Sequence, residues 1–184
     1  MVYEFLIPLL FGFACNLASA FTAAFSQRWG ARRGAQLTFV LRNILGIPVW
    51  AVGMVMAFRS PQPALFDPGI AVRVAGWGLV LAGGAVIVLA LFAIRGRAAA
   101  PSMGDALVQN GVYARVRHPI HSGTLLEFGG LFLLNPSTAA AVACAMGVGW
   151  VLLQTRFEEI DLAQRLPGYR EYMRRVPRFV PRLW

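Results

Sequence analysis

Long apolar runs separated by short polar segments dominate the pattern of this chain. A helix crosses the hydrocarbon core of a bilayer with about 20 apolar residues. Three runs in the first half reach that length: Val2–Phe25, Leu37–Phe58 and Ile70–Ile94. The first is interrupted only by Glu4, and the second carries Arg42 near its start. The pattern predicts three membrane helices in this half of the chain.

A fourth apolar region is divided by a turn signal. Ile120–Leu134 is short and contains Glu127, and Ser137–Thr155 continues without a charge. Asn135-Pro136 separates the two segments, and a residue before proline is pushed out of the helical conformation. We therefore predict an all-α integral membrane protein with five transmembrane helices, of which the last two form a helical hairpin.

Composition supports one membrane domain. The 184 residues are 58% hydrophobic and only 14% charged, with a mean hydropathy of +0.60. This is more apolar surface than a soluble protein of the same length could bury. We expect a single domain over residues 1–184, with three membrane helices in 1–94. Residues 95–184 then hold a polar loop, the hairpin and a tail, whose segment Asp161–Trp184 has the pattern of an amphipathic cytoplasmic helix with an extended end.

Arginine supplies all of the positive side-chain charge. The chain has 17 Lys+Arg residues, all of them Arg, and a formal net charge of +9. Fourteen of them lie in the first loop, in the third loop or after the last helix: Arg28, Arg32, Arg33, Arg95, Arg97, Arg115, Arg117, Arg156, Arg165, Arg170, Arg174, Arg175, Arg178 and Arg182. With five helices these positions share one side, and the positive-inside rule makes that side the cytoplasm. We expect a multi-pass protein of the inner cell membrane with its N-terminus outside and its C-terminus in the cytoplasm.

The arginines are dispersed and lack a nucleic-acid motif, so membrane lipids are the expected partners and nucleic acid is not.

Two polar clusters at helix ends are candidates for chemistry. Arg117-His118-Pro119 opens the fourth helix, where free backbone N–H groups, a guanidinium and an imidazole can bind a small carboxylate or phosphate. Proline is also favoured at a helix start and an interfacial Arg can snorkel, so a purely structural role stays open. Glu158-Glu159 at the end of the last helix can hold a cation or pair with the arginine-rich tail. His118 and His121 lack a third ligand of clear spacing, so we predict no metal site.

Four motifs follow one another in fixed order in residues 95–184. They are G-V-Y-x-x-V-R-H-P-x-x-x-G from Gly111, N-P at Asn135, E-E at Glu158, and Y-x-x-Y-x-x-x-V-P-R-F-x-P from Tyr169. Together they resemble the isoprenylcysteine carboxyl methyltransferase family of integral membrane enzymes. The broader set includes phospholipid N-methyltransferases, in which a G-x-G and an E-E pair bracket the cofactor. Gly76-Trp77-Gly78 matches the first of those elements.

The resemblance implies methyl transfer from S-adenosylmethionine to a lipid-like or prenylated acceptor at the cytoplasmic face, with S-adenosylhomocysteine as product. The reacting group of the acceptor is a carboxylate or an amine. The resemblance implies cofactor contacts for nine residues: Gly76, Gly78, Leu107, Val108, Tyr113, His118, Pro119, His121 and Glu158. Arg117 is a tenth candidate, because the anion site at the start of the fourth helix can bind the cofactor's carboxylate. Three residues are candidates for the catalytic centre: Arg156, Glu158 and Glu159.

This chain departs from the family pattern at two positions. His121 stands where the family usually has Tyr, and Gln154 stands where isoprenylcysteine enzymes place an Arg that meets the acceptor carboxylate. Arg156 lies close to that second position. Two other functions stay open, namely a nicotinamide-dependent reductase of sterol-type double bonds, which shares the R-H-P element, and a membrane protein that binds a ligand without catalysis.

Overall fold

The computed structural model describes residues 3–94 and 101–182. Val2, the arginines at 95 and 97 and the last two residues of the tail lie outside these ranges. Within them the chain is all-helical, without a β-strand. The α-helices are α1 Leu6–Ala18, α2 Thr22–Trp29, α3 Ala31–Phe39, α4 Ile47–Arg59, α5 Ile70–Ile94, α6 Pro119–Leu134, α7 Thr138–Arg165 and α8 Tyr169–Arg175. A π-helical segment, Val40–Gly46, joins α3 to α4, and a 3₁₀ turn covers Gly111–Ala114.

The first apolar run is divided between two helices. α1 and α2 are bent by 64° at a short break, where Phe21 leaves the helical conformation. The Ser19 hydroxyl donates to the Asn16 carbonyl at 2.5 Å. The carboxylate of Asp161, in α7, accepts a hydrogen bond of 2.6 Å from the Ala23 backbone N–H. This N–H belongs to the first turn of α2, where no intrahelical acceptor is available. A remote side chain therefore stabilises the start of α2.

The second apolar run lies inside a longer helix than its sequence predicts. Ala31–Arg59 is one helical run of 29 residues, whereas the apolar pattern begins only at Leu37. Its π-helical segment directly precedes Pro48, which lies at the start of α4. Proline has no N–H and clashes with the carbonyl four residues earlier, so a local widening of the helix accommodates it.

Close packing through glycine joins α5 to α6. A Cβ atom at Gly83 would lie 2.6 Å from the carbonyl oxygen of Gly123, and one at Gly123 would lie 2.5 Å from that of Gly83. Seven residues along each helix, Gly130 approaches Gly76 in the same way. The two helices are therefore antiparallel and in backbone contact, which small residues permit within a membrane.

The predicted turn at Asn135-Pro136 is confirmed. α6 ends at Leu134, and α7 begins at Thr138 after Ser137, whose side chain accepts a hydrogen bond from the Ala140 N–H as an N-cap. The Asn135 side chain donates to the Phe58 carbonyl at 2.7 Å, which fastens the turn to the end of α4.

Three helical runs in the described chain are long and apolar enough to cross a bilayer, and a fourth is added if the bent pair α1–α2 counts as one span. They include Ala31–Arg59, α5 and α7. α6 has 16 residues, or about 24 Å at 1.5 Å per residue, which is less than the hydrocarbon core of about 30 Å. The chain is thus a helical membrane protein, and the count of five spans stays a prediction.

Candidate functional site

A cavity of about 500 Å³ lies where the ends of several helices meet. Its wall combines the α1–α2 corner, the start of α4, the end of α5, the segment from Pro101 to His118, the first half of α6, the end of α7 and α8. The polar and aromatic lining residues are Asn16, Ser19, Thr22, Arg42, Asn43, Trp50, Asp105, Tyr113, Arg117, His118, His121, Thr124, Glu127, Trp150, Glu158, Asp161, Arg165, Tyr169 and Tyr172. The helices thus bring residues far apart in sequence to one chamber.

Glu158 is held on the cavity wall by two donors. Its Oε1 atom accepts hydrogen bonds from Arg42 Nη2 at 2.8 Å and from Gln154 Nε2 at 2.9 Å. Its Oε2 atom lies 3.7 Å from His118 Nδ1 and 4.0 Å from His121 Nδ1. A carboxylate fixed in this way keeps its negative charge directed at the two imidazoles and at the chamber beside them.

Glu159 has different surroundings. It is buried, with 3% of its surface exposed, and it is absent from the cavity wall. Its Oε1 atom accepts from Arg117 Nη2 at 2.7 Å, from Arg117 Nε at 3.1 Å and from Arg178 Nε at 3.0 Å. Arg178 Nη2 also donates to Oε2. The Nε2 atom of His118 lies 3.3 Å from the same carboxylate without the alignment of a hydrogen bond. Glu159 therefore serves as the centre of an ion-pair network behind the wall.

Arg117 fastens the tail to the start of α6. Its Nη1 atom donates to the carbonyls of Met173, at 3.0 Å, and Val176, at the end of α8. The tail is also held by backbone bonds, since the N–H groups of Arg117 and His118 donate to the carbonyls of Pro177 and Arg178 at 2.9 and 3.1 Å. These contacts keep α8 against the cavity, and Gly168, in the left-handed conformation (φ +80°), is the N-cap of α8.

Three tyrosines close the polar end of the chamber. Tyr172 donates a hydrogen bond of 2.6 Å to the Tyr113 carbonyl. Burial raises the pKa of Tyr172 to about 12, and it also raises the pKa values of Tyr113 and Tyr169 above their usual range. All three phenols are thus neutral near pH 7 and can act as hydrogen-bond donors. The Tyr169 hydroxyl is buried with no partner among the described residues, and the same holds for the indole N–H groups of Trp50 and Trp150.

The segment before the 3₁₀ turn is anchored to α7 by one arginine. The Nη1 atom of Arg165 lies 2.7 Å from Asp105 Oδ2 and donates to the Ser102 carbonyl at 2.7 Å. The Nε atom of Arg165 lies 2.7 Å from Asp161 Oδ2. Because this pairing holds Asp105 in place, Leu107 and Val108 are positioned on the cavity wall. They provide an apolar surface beside the polar cluster.

Part of the chamber wall is apolar. α5 packs along α6, whereas α4 packs on α1 and α7. Ile47 of α4 and Leu91 of α5 both line the cavity and are both exposed. The cavity wall thus includes exposed apolar residues of both α4 and α5.

Seven of the residues singled out from the sequence meet on the cavity wall: Leu107, Val108, Tyr113, Arg117, His118, His121 and Glu158. Glu159 lies behind it, and Pro119 is buried at the start of α6. Arg156 is exposed and lines a separate shallow depression beside Glu159 and Arg170.

The structure does not bring Gly76 and Gly78 to the cavity. Gly76 packs against Gly130 and Leu134 of α6, and a Cβ atom at Gly78 would meet open space. Both lie about 14 Å or more along α5 from the wall residue Ile87, at 1.5 Å per residue. In this arrangement, Gly76 serves helix packing.

Arg42, Trp50, Trp150 and Tyr169 line the cavity but were not selected from the sequence. Arg42 carried a usable signal, because an ionisable residue inside an apolar run is costly unless it is paired or used. The two tryptophans carried none, since aromatic residues in membrane helices are common. Trp150 stacks on Phe13 with ring centroids 5.0 Å apart, and this contact joins the cavity to the apolar core below it.

Ligand atoms of His118, His121 and Glu158 lie within 4.8 Å of one another. This spacing can accommodate a metal ion with three protein ligands and an open position. Arg42 forms an ion pair with the Glu158 carboxylate, so its positive charge disfavours a metal ion at the same carboxylate. The absence of a metal stays a prediction.

A family model described as phospholipid methyltransferase matches residues 71–166, which is 96 of the 184 residues. The match runs from the start of α5 to the end of α7 and includes the start of α6 and Glu158. The chain is also 35% identical over 80 residues to the cobalt-zinc-cadmium resistance protein CzcN of Cupriavidus metallidurans. That alignment covers 43% of this chain and 37% of the relative. No solved structure matches the chain.

Proposed function

Because the chain belongs to the phospholipid methyltransferase family, we propose that it is an integral membrane methyltransferase that transfers the methyl group of S-adenosylmethionine to a lipid-like acceptor. The observation that carries this proposal is the mixed wall of one cavity. Glu158, His118 and His121 form a polar cluster on it, and exposed apolar residues of α4 and α5, Ile47 and Leu91, line the same cavity. One chamber can therefore receive a polar cofactor and a lipid.

The residues on the wall fit the cofactor. The cavity volume of about 500 Å³ falls within the range of about 300–1,000 Å³ that is typical of pockets for drug-sized ligands. Buried donors without a protein partner, on Tyr169, Trp50 and Trp150, are costly unless a ligand or water satisfies them. Glu158 would hold the amino group or the sulfonium side of the cofactor, and Leu107 and Val108 would contact its adenine ring. His118 would bind its carboxylate through the imidazole.

When bound, S-adenosylmethionine supplies a methyl group that is already activated by its positive sulfur. The task of the protein is then to align the acceptor and to exclude water. The apolar part of the wall, with Ile87 and Ile120, limits water at the place of transfer. Glu158 is the catalytic residue in this proposal, and Glu159 is a positioning residue that fixes Arg117 and the tail.

The arginine distribution supports a cytoplasmic location for the polar end of the cavity. Arg115, Arg117 and Arg165 lie at or near that end, and the positive-inside rule places such residues in the cytoplasm, where the cofactor is made available. We therefore retain the proposed orientation in the inner cell membrane, with the C-terminus inside.

A ligand titration tests the proposal. The purified full chain in detergent is titrated calorimetrically with S-adenosylhomocysteine and, separately, with reduced nicotinamide cofactor. Saturable binding of S-adenosylhomocysteine alone is expected, and Glu158→Gln should weaken it about tenfold, the value of one charge-assisted hydrogen bond. Glu171→Gln, a change of charge on an exposed carboxylate of α8, is the matched control. Binding of the nicotinamide instead would favour the reductase, and binding of neither would contradict an enzyme of either kind.

A further inference from the structure

Arg156 is the first charged residue of α7, after an uncharged stretch from Ser137 to Thr155. α7 has 28 residues, or about 42 Å at 1.5 Å per residue, whereas the hydrocarbon core of a bilayer is about 30 Å thick. The charged residues of α7 all follow Thr155, so the excess length of the helix lies at this end. Arg156 therefore lies at the border between the acyl chains and the headgroups.

Arg156 and Arg170 share a shallow depression between α7 and α8, which is separate from the cavity. The depression has a volume of about 300 Å³, and Ile160 and Met173 also line it. Both arginines are exposed. Within residues 3–94 and 101–182, neither guanidinium forms a hydrogen bond or an ion pair. The depression thus presents two positive charges that the described chain does not pair.

The carboxylate of Glu159, which also lines the depression, does not compensate these two charges. It accepts hydrogen bonds from Arg117 and from Arg178. Two guanidinium groups on one carboxylate leave a positive charge in excess, which adds to the charges of the two exposed arginines. The electrostatic field at the depression therefore favours an anion.

Exposed apolar side chains of α7 precede Arg156 on the membrane side. They belong to Val148, Leu152 and Leu153. Residues three and four apart lie on the same face of a helix, and these three residues stand eight, four and three positions before Arg156. Leu152 lies about 6 Å from Arg156 along the helix axis. A lipid whose chains contact these residues thus has its headgroup at the level of Arg156.

A phosphate that is attached to acyl chains fits the charge and the apolar face together. Guanidinium groups bind phosphate through paired N–H···O hydrogen bonds, and arginines next to a membrane helix attract anionic lipids. The volume of about 300 Å³ is at the lower end of the range for small-molecule pockets, about 300–1,000 Å³. The depression therefore suits a headgroup, while the chains stay outside it along α7.

We propose that the depression between α7 and α8 binds an anionic phospholipid, whose phosphate is held by Arg156 and Arg170 and whose chains lie along Leu152 and Leu153. Glu158 lines the cavity, whereas Glu159 lines the depression, so the two sites lie on different sides of α7. The bound lipid is neither the cofactor nor the methyl acceptor. The inference goes beyond the proposed methyl transfer and does not depend on it.

A phosphate that contacts both arginines also joins α8 to α7. Among protein contacts, Arg117 holds the end of α8 through the carbonyls of Met173 and Val176. A ligand that binds only the folded chain stabilises it. Anionic phospholipid should therefore raise the unfolding temperature, and this effect should require Arg156 and Arg170.

Titration with short-chain lipids tests the site. The full chain in an uncharged detergent is titrated calorimetrically with dioctanoyl phosphatidylglycerol, which is anionic, and with dioctanoyl phosphatidylcholine, which has the same chains and no net charge. Wild type should bind the anionic lipid at least about tenfold more tightly, the ratio expected for one charge-assisted contact. Arg156→Gln and Arg170→Gln should each lower the affinity for phosphatidylglycerol about tenfold. Arg156→Lys keeps the charge and should lower it less.

Arg174→Gln is the matched control. Arg174 is an exposed arginine of α8 that lies 3.6 Å from Glu171 and is not part of the depression. Its replacement removes the same charge, and the affinity for phosphatidylglycerol should stay at the wild-type value. An equal loss of affinity in Arg174→Gln and Arg156→Gln would reveal a diffuse effect of surface charge and would overturn the inference.

Glycerophosphoglycerol, the same headgroup without chains, distinguishes a lipid from a soluble phosphate. It should bind at least about tenfold more weakly than the lipid, because it gains no apolar contact with α7. Binding as tight as that of the lipid would contradict a lipid site, and so would equal affinity of wild type for the two lipids.

Thermal unfolding in the same detergent gives an independent readout. Phosphatidylglycerol should raise the unfolding temperature of wild type and of Arg174→Gln, but not that of Arg156→Gln. A rise of the same size in Arg156→Gln would refute the site. Saturable binding of phosphatidylglycerol by a chain that does not bind S-adenosylhomocysteine would support the lipid site and refute the methyltransferase.

Discussion

Arg42 and Glu158 are joined by an ion pair of 2.8 Å that connects the two halves of the chain. Arg42 lies in the π-helical segment between α3 and α4, outside the part of the chain that matches the family model, and Glu158 lies inside it. The two residues are 116 positions apart. The Nε atom of Arg42 also donates to the Ser19 hydroxyl at 3.2 Å, at the bend between α1 and α2. The first helices therefore help to hold a carboxylate of the candidate site.

Arg42→Gln should weaken the binding of S-adenosylhomocysteine about tenfold, because Glu158 loses the stronger of its two donors. Calorimetric titration of the purified variant measures the change. Arg59→Gln, at the far end of the same helical run, removes the same charge without touching Glu158 and is the control. Wild-type affinity in Arg42→Gln would show that this ion pair contributes nothing to the site.

The two adjacent glutamates should give different phenotypes when each is changed to Gln. Glu158→Gln should reduce cofactor affinity with little loss of stability, since Glu158 lies on the cavity wall. Glu159→Gln should destabilise the fold by about 3 kcal/mol, because it leaves the largely buried guanidinium of Arg117 and the partly exposed one of Arg178 without their charged partner.

Thermal unfolding in detergent and titration with S-adenosylhomocysteine, carried out on both variants, separate these effects. The distinction between a binding carboxylate and a positioning carboxylate fails if Glu158→Gln lowers the unfolding temperature as much as Glu159→Gln does.

Two glycines of α5 provide a test of the helix packing. Gly83→Ala should destabilise the protein by about 2 kcal/mol, since its new Cβ atom would lie 2.6 Å from the Gly123 carbonyl oxygen and must push α6 away. Gly78→Ala should be neutral or slightly stabilising, because its Cβ atom meets open space and alanine favours the helix. Unfolding temperatures of the two variants check this.

Gly78→Ala also tests the match to the G-x-G element. Because Gly78 lies away from the cavity, cofactor affinity should stay at the wild-type value. A large loss of affinity in Gly78→Ala would place the cofactor along α5, far from Glu158.

The orientation in the membrane makes a separate prediction. Reporter fusions after Gln62 and after Trp184 should give opposite locations, with the second in the cytoplasm, because the arginines concentrate on that side. Removal of Arg59, the cation nearest to the first fusion, should leave both locations unchanged. A C-terminal reporter on the outer side would put the polar end of the cavity on the wrong side for a cytoplasmic cofactor.

Local signals account for the parts of the fold that the sequence predicts well. The run Ile70–Ile94 is uncharged from Val74 onward and follows Pro68-Gly69, so its bounds as a helix agree with α5. Asn135-Pro136 marks the end of α6 because proline excludes the helical conformation from the residue before it. The bend between α1 and α2 has no comparable signal, since it depends on Asp161, which is 138 residues away from its partner Ala23.

The motifs identify residue types in the site but not which way each side chain faces. Glu158 and Glu159 are neighbours in sequence, yet one faces the cavity and the other faces the tail, because successive helical residues are about 100° apart. Arg117 belongs to the motif at the start of α6, and its guanidinium is nevertheless used to hold Met173 and Val176 of the tail region. Such roles depend on tertiary contacts that spacing alone does not contain.

The most direct test of the central claim is transfer of a labelled methyl group. Membranes that contain the full chain are incubated with S-adenosylmethionine labelled in its methyl group, and label is measured in the extracted lipids. The account predicts incorporation above that of membranes without the protein, and a loss of about tenfold or more in Glu158→Gln at equal protein level. Equal incorporation with wild type and Glu158→Gln, or no incorporation above background with wild type, would contradict it.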